Sequence, residues 1–349
     1  MLNKLLKFSF FTMILSGLIA CGGEGSVGDG QEQTKNQSVT EEEFTIRFSF
    51  VNAAMSVKGM AADKFADLVD EKTDGRVKVE VYPAAQLYND DESFEAIVGG
   101  NLEMIAPAVT KLVTFDPRWQ YVDLPFLFKD HDHVMTFFES ELAEDLLNSE
   151  QIIRNNLEGK AFWQNGFKQF TTSDQPLRGP EDFEGLNFRV QAGSVLDSFY
   201  QKLGAGTATI SLGESYAALQ QGTVDGTENT FNNIDTLNYE EVQDYLTVSN
   251  HGRIDWAILV NKSFWDEMPT DVRDQVDEAL EEATQFANKI TQEENEKSFE
   301  KIKAAGNLEV IELTEEERAK LIDTLDPLYE EFESIITKDL IEGIRSLEN

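Results

Sequence analysis

The sequence predicts an α/β fold of two lobes joined by a hinge and a long helix. Three observations carry this. Strand patterns and helix patterns alternate along the chain in two successive sets, the order that builds α/β lobes with largely parallel sheets. From Thr270 to Ala305 there is no glycine or proline, and Val272, Val276, Ala279, Leu280, Ala283, Phe286, Ala287 and Ile290 recur at helical spacing. A helix of that length reaches about 50 Å, longer than one lobe is wide, so it crosses from one lobe to the other. The 349 residues, 41% of them hydrophobic, suffice for about two domains with large cores.

The first set opens with "FTIRFSFV" (44–51), an alternating strand. A helix follows over 56–73, with Met60, Phe65, Leu68 and Val69 inward and Gly75 ending it. "RVKVEVYP" (76–83) is a second alternating strand. A helix over 92–98, a strand in "LEMIAPAV" (102–109) and the aromatic segment "DLPFLF" (123–128) complete it. The second set begins near "AFWQNGFKQF" (161–170). "GPEDFEGLNFRVQ" (179–191) gives an acidic turn and a strand, and a helix over 194–203 stops at Gly204. "GTATIS" (206–211) is a short strand, "LGESYAALQQG" (212–222) a helix, and "VDGTENT" (224–230) a strand edge and loop. "RIDWAILVNKSFW" (253–265) is a buried strand leading into a helix. "NLEVIEL" (307–313) and acidic helices close the chain. No tandem repeat of solenoid length is present. Lobe I is expected from 44–166 plus 253–292, and lobe II from 167–252 plus 293–349.

Net charge is −36, from 29 basic and 65 acidic residues. The first twenty residues hold no acid but carry Lys4 and Lys7, followed by the apolar stretch from Phe8 to Ala20. That layout is an export signal, too short to span a bilayer comfortably. Without it, 27 basic residues face 65 acidic ones, a net −38. Such a surface repels nucleic acid and anionic lipid headgroups. Cys21 is the sole cysteine, so no internal disulfide can form. "LIAC" resembles the lipobox of bacterial lipoproteins, which implies lipidation at Cys21. A conventional signal peptide or an uncleaved anchor is the alternative. "GGEGSVGDGQEQTKNQSVTEEE" (22–43) is a flexible tether, reaching roughly 25 Å. The working part is therefore expected outside the cytoplasm, held at a membrane.

Catalytic signatures are missing. The chain has no G-x-S-x-G elbow and no Walker sequence, and "GAGTAT" (204–209) is a helix end and turn rather than a dinucleotide fingerprint. The histidines are His131, His133 and His251. "DHDH" (130–133) reads as the polar first turn of the helix carrying Val134, Phe137 and Phe138 rather than a metal site. His251 reads as a positioning group at a core edge. Neither a cofactor nor a metal is expected, and nothing compels an enzyme. In "GLNFRVQAG" (185–193), Leu186, Phe188 and Val190 alternate with Asn187, Arg189 and Gln191. Arg189 thus lies on a polar strand face, which is either solvated, or supplies a salt bridge to one of the many carboxylates, or meets a ligand in the cleft.

Six segments together resemble the DctP-type solute-binding proteins of tripartite ATP-independent periplasmic (TRAP) transporters. They are "YPAAQLYNDDESFEAIVGGNLEMIAP" (82–107), "DLPFLFKD" (123–130), "FWQNGFKQFT" (162–171), "EGLNFRVQAG" (184–193), "ESYAALQQGTVDGTEN" (214–229) and "HGRIDWAILVNKSFWDEMP" (251–269). The resemblance runs from about Phe44 to the C-terminus. It implies a periplasmic-binding-protein-like clamp that captures an organic acid and delivers it to membrane permease subunits. In the family the arginine of the "RVQ" strand pairs with the ligand carboxylate, the place of Arg189. The asparagine ending the "VDG-x-EN" segment hydrogen-bonds the ligand, the place of Asn229. A second arginine often follows "NGF", where this chain has Lys168, which keeps the charge but loses the planar fork. The family asparagine is often followed by proline, and here by Thr230. Lys111 matches a lysine found in many relatives and can reach the cleft or be a surface lysine; Asn52 has the same status.

The function expected is capture of a C4-dicarboxylate such as malate, succinate or fumarate by Arg–carboxylate pairing and hinge closure. Other acids are the runners-up: a sugar acid, sialic acid, a hydroxy acid or ectoine. A secreted hydrolase with an Asp/Glu pair and a sensor presenting its ligand to a membrane kinase are the rivals from other classes.

Overall fold

A computed structural model describes residues 42–348. The expected export signal, Cys21 and nearly all of the tether lie outside the described residues. Strand β1 (Phe44–Ser49) leads to α1 (Val57–Lys72), where the Ser56 hydroxyl accepts from the Gly59 amide at 3.2 Å and caps the first turn. Strand β2 (Val77–Tyr82) follows, then α2 (Asp90–Val98). Asn89 and Glu92 form a reciprocal capping box at its start, and three acids in its first turn suit the helix dipole. Strand β3 is only Met104–Ile105; the rest of the expected strand is loop. Two 3₁₀ turns, Val109–Thr114 and Pro117–Asp123, occupy the aromatic region. The "DHDH" stretch starts α3 (His131–Phe138), and Asp130 caps it by accepting from the His133 amide at 2.9 Å. Helices α4 (Glu141–Leu147) and α5 (Glu150–Arg154) precede β4 (Leu157–Phe167).

The first sheet has the order β2-β1-β3-β10-β4, with β10 at Arg253–Asn261. Its β1, β2 and β3 are parallel, whereas β10 runs antiparallel to both β3 and β4. The second sheet is built from β5 (Gln169–Thr172), β6 (Asn187–Val190), β7 (Gly206–Thr209), β8 (Gly226–Asn229), β9 (Tyr245–Val248) and β11 (Glu309–Glu312). Its order is β11-β9-β5-β8-β6-β7. Both sheets are therefore mixed rather than largely parallel. The reason is that the strands carrying the chain between the sheets must turn back on themselves. "AFWQNGFKQF" does not open the second set: residues through Phe167 belong to the first sheet, and only the end of the segment enters the second. Strand β8 is central, not an edge, and all four of its residues are buried.

The chain crosses between the sheets at Lys168, between β4 and β5, and again between β9 and β10. The Lys168 amide donates to the Gly252 carbonyl at 2.9 Å, which zips the two crossings together. The third crossing is α10 (Thr270–Ala305), 36 residues and about 54 Å long. Its first half buries Val272, Val276, Ala279 and Ala283 with Ile46, Phe48, Phe65 and Val69 of the first sheet's layer. Its far end buries Ile302 against Leu246 and Leu308 under the second sheet. The shorter helices on the second sheet are α6 (Ser194–Lys202), α7 (Leu212–Gln220) and α8 (Phe231–Thr236), while α9 (Lys262–Glu267) follows β10. The chain ends in α11 (Glu315–Leu325), α12 (Pro327–Ile336) and α13 (Lys338–Ser346). Apolar groups of these last helices join a cluster running from Trp119 and Leu124 to Phe188 and Tyr200.

Gly226 shows how tight the second sheet is. A Cβ there would sit 2.5 Å from the Thr171 carbonyl oxygen and 2.8 Å from the Phe188 ring. Backbone cannot yield as a side chain can, so Gly226→Ala is expected to cost about 1–3 kcal/mol in urea unfolding. Gly213, in the first turn of α7, has nothing within 4 Å of a built Cβ. Gly213→Ala should be neutral or slightly stabilising. Equal effects of the two substitutions would contradict the register given for β8.

Candidate functional site

Arg189 is the third residue of β6, held between β8 and β7 opposite Thr227 and Ala208. Phe188 and Val190 turn into the core, as their alternation predicts. The polar face is buried as well: Arg189 is 1% and Gln191 8% exposed. That face meets the first-sheet side of the molecule instead of solvent. The Arg189 Nε donates to the Ile210 carbonyl at 2.8 Å, which fixes the guanidinium plane. Its Nη1 is buried with no hydrogen-bond partner. Among the described residues no carboxylate lies within ion-pair distance of Arg189, so the internal salt bridge entertained from the sequence does not form.

The guanidinium faces a closed cavity between the two sheets. Lys58, Asp90 and Lys111 line it from the first-sheet side, with Asn52 beside them. Gln191 and Asn233 line it next to Arg189, and Val51, Leu212, Ile254 and Trp256 give it apolar walls. Lys58 sits in the first turn of α1, 1% exposed. Its Nζ donates to the Ala106 carbonyl at 2.5 Å and lies 4.5 Å from the centre of the Trp256 ring. Gly59 makes this placement possible: a Cβ there would lie 2.0 Å from the Ala54 carbonyl oxygen, so the helix start could not pack against that loop. Burial pushes the Lys58 ammonium down to about 7, and Asp90 only partly offsets this. Burial likewise pushes the Asp90 carboxyl up, against the pull of Lys58, Lys111 and Arg189.

The cavity is shut. Asn52 Nδ2 donates to Asn233 Oδ1 across it at 3.2 Å. Gln120 Oε1 accepts from the Ser194 hydroxyl and the Val195 amide at 3.0 and 3.2 Å, so a side chain of the turn Pro117–Asp123 meets the start of α6. The space left open to a water-sized sphere is about 20 Å³, room for about one water. By the same measure two wider clefts, about 530 and 450 Å³, lie along α10. Their charges are mixed in sign, and Lys160 and Arg253 there are already paired with Asp277 and Asp255. The small cavity is where cations converge without partners.

Of the residues singled out from the sequence, Arg189, Lys111 and Asn52 line this cavity. Asn229 stands one layer behind: its Oδ1 accepts from Asn233 Nδ2 at 2.7 Å and from the Thr230 amide at 3.1 Å. Thr230 caps α8, accepting from the Asn233 amide. Lys168 does not reach the cavity. It lies in the hinge, its Nζ 2.8 Å from Asp123 Oδ1 and 2.6 Å from Glu228 Oε1. His251, the positioning residue expected from the sequence, donates from Nε2 to the same Glu228 at 2.9 Å and stacks on Phe170 at 3.7 Å. Tyr200 donates to Glu228 at 3.2 Å, and the Thr110 hydroxyl to Asp123. Burial opposes every charge in this cluster. The two carboxylates outweigh it at Lys168, held up at about 12, and Lys168 with His251 hold Glu228 down at about 2. Lys58, Asp90, Gln191 and Asn233 were not singled out. Two signals were available: Gln191 is the next polar position on the Arg189 face, and Asn233 follows Asn229 by four residues in a largely polar run.

Removing Lys168 leaves two buried carboxylates facing each other without a counter-charge. Lys168→Met should therefore lower stability by about 3–5 kcal/mol, read by urea unfolding. A change under 1 kcal/mol would show that the cluster does not hold the hinge. The depressed Glu228 adds stability that is complete above its unfolded value and is lost as pH falls towards about 2.

Known proteins share this architecture. The family model described as "Bacterial extracellular solute-binding protein, family 7" (DctP) matches residues 48–335. The C4-dicarboxylate-binding periplasmic protein DctP of Rhodobacter capsulatus is 40% identical over 87% of this chain and 91% of its own. A TRAP periplasmic solute-binding protein of Shewanella oneidensis, solved with bound succinate, superposes with a TM-score of 0.84 at 34% identity, over 87% of this chain and 99% of its own. One from Pseudomonas aeruginosa, solved with bound L-malate, gives 0.80 at 33%, over 82% and 99%. On its sequence, its two sheets bridged by a long helix and its closed interlobe cavity, the chain belongs to the DctP family of bacterial extracellular solute-binding proteins.

Proposed function

We propose that this protein captures a C4-dicarboxylate outside the cytoplasmic membrane and hands it to the permease subunits of a TRAP transporter. One observation carries the reading: Lys58, Lys111 and Arg189 converge with a single carboxylate, Asp90, on a small enclosed space. That surplus of positive charge suits a ligand bearing two carboxylates. Arg189 offers a fixed, buried guanidinium with a free Nη1 for one of them. Lys58 and Lys111 face the other from the opposite lobe, and Asn52 and Asn233 add amide contacts. The apolar walls at Trp256, Ile254 and Leu212 suit a short carbon chain. The names of the relatives, C4-dicarboxylate-binding and succinate- or malate-bound, point the same way.

A diacid is larger than the space in the closed form, so it enters with the lobes parted and the side chains reseat on closure. The ligand favours closure by supplying charge that both lobes need at once. Asn229 orders Asn233, and the Lys168 cluster holds the hinge about which the lobes move. No bond is made or broken. Cys21, lipidated after export, tethers the domain to the outer face of a membrane through residues 22–43.

Titration calorimetry with succinate, L-malate and fumarate, beside galactonate and N-acetylneuraminate, tests the reading. A C4-dicarboxylate should bind at micromolar Kd or tighter, near −8 kcal/mol. Arg189→Ala should weaken it roughly a hundredfold or more, since hydrogen bonds to charged groups contribute about 1.5–3 kcal/mol each. Binding of a sugar acid alone, or an Arg189→Ala protein that binds like wild type, would overturn the assignment.

A further inference from the structure

Lys58 is buried with a backbone carbonyl as its hydrogen-bond partner and no carboxylate within ion-pair distance. The groups that share its surroundings are few. From α2 comes Asp90, from the turn Val109–Thr114 comes Lys111, and from β6 across the cleft comes Arg189. Strand β10 presents uncharged Ile254 and Trp256, and the loop after β1 presents Val51 and Asn52. The nearest cations repel a charge on Lys58, and Asp90 is its one anionic neighbour.

We propose that capture of the dianion is coupled to uptake of one proton by Lys58, whose amine becomes the ammonium that faces the ligand's second carboxylate. The proton comes from solvent, adds to the Nζ lone pair, and leaves again when the ligand departs. The inference rests on the dicarboxylate reading and adds a stoichiometry to it. It follows from geometry: the site holds a buried lysine bonded to a backbone carbonyl, with no carboxylate at pairing distance until the ligand brings one. Burial lowers Lys58 to about 7. A dianion brought beside it favours the charged form and raises that value, so above neutral pH binding draws in a proton. The sign is fixed by this: affinity falls as pH rises through the range between the free and bound values.

Calorimetry of succinate binding at pH 8, in buffers of different ionisation enthalpy, counts the protons. At that pH a lysine titrating at about 7 is roughly one-tenth charged, so about 0.5–0.9 proton should enter per ligand. Kd should weaken roughly three- to eightfold per pH unit from about 7.5 to 9. Asp90→Asn should keep the proton uptake, which separates Lys58 from the one carboxyl able to take a proton beside it. Lys58→Met should bind more weakly, with a Kd flat over the same range and no proton uptake. Wild-type uptake below about 0.1 proton overturns the proposal, and so does its loss in Asp90→Asn or its persistence in Lys58→Met. Failure of the wild type to bind any C4-dicarboxylate at pH 7 is a different result, and sinks the dicarboxylate reading itself.

Discussion

Three basic side chains held beside one carboxylate, around a space with room for about one water, are what the rest of the structure has to accommodate. Taking an ion out of water costs several kcal/mol even after relaxation, unless a partner stands within reach. Elsewhere this molecule follows that rule. Arg253 is paired with Asp255 at 2.7 Å, and Lys168 has two carboxylates within 3 Å. Arg189 and Lys58 are as deeply buried as these, yet each bonds a backbone carbonyl and meets no carboxylate at pairing distance. The two arrangements lie at opposite ends of one mechanical system. The compensated cluster sits in the hinge and stabilises the joint in any state. The uncompensated one sits in the jaws, where closure is costly until an anion arrives. That difference is the physical basis for a ligand-driven clamp.

The net charge of −36 sharpens the point. A surface so acidic repels an approaching dianion, and salt screens that repulsion beyond about 8 Å at physiological ionic strength. Inside the cleft the balance reverses over a few ångströms. Local cations lined by Trp256 and Ile254 act in a low-dielectric setting, where each counts for more than it would on the surface. Positive charge is thus gathered in the interior of the cleft, against the sign of the chain as a whole.

Much of the fold was legible in local patterns. The 36-residue helix, the strand with Arg189 and the capped helix after "DHDH" all follow from periodicity and end signals. The pairing of β10 was not legible. Its nine residues are all buried, so they carry no alternation from which direction could be read. The short β3 failed for a different reason: "LEMIAPAV" is apolar enough for a strand, but Pro107 has no amide to donate, and beyond Ile105 only an isolated bridge from Ala108 to Trp256 continues the pairing. In the site, Arg189 stood out because a basic residue on an alternating strand in an acidic chain is conspicuous. Lys58 did not, because a lysine on the first turn of a helix looks like any solvated one until the loop at Ala54 folds over Gly59 and buries it. Lys168 misleads in the opposite sense. It follows "NGF" as a ligand-binding residue would, and the carboxylates that claim it, Asp123 and Glu228, come from distant parts of the chain.

The most direct measurement is a crystal structure of the protein grown with succinate. The account places one carboxylate on the terminal nitrogens of Arg189, the other facing Lys58 and Lys111, and the carbon chain against Trp256 with the lobes shut. Succinate lodged instead in either cleft along α10, or bound between the lobes while Arg189 keeps its Nη1 without an acceptor, would contradict it.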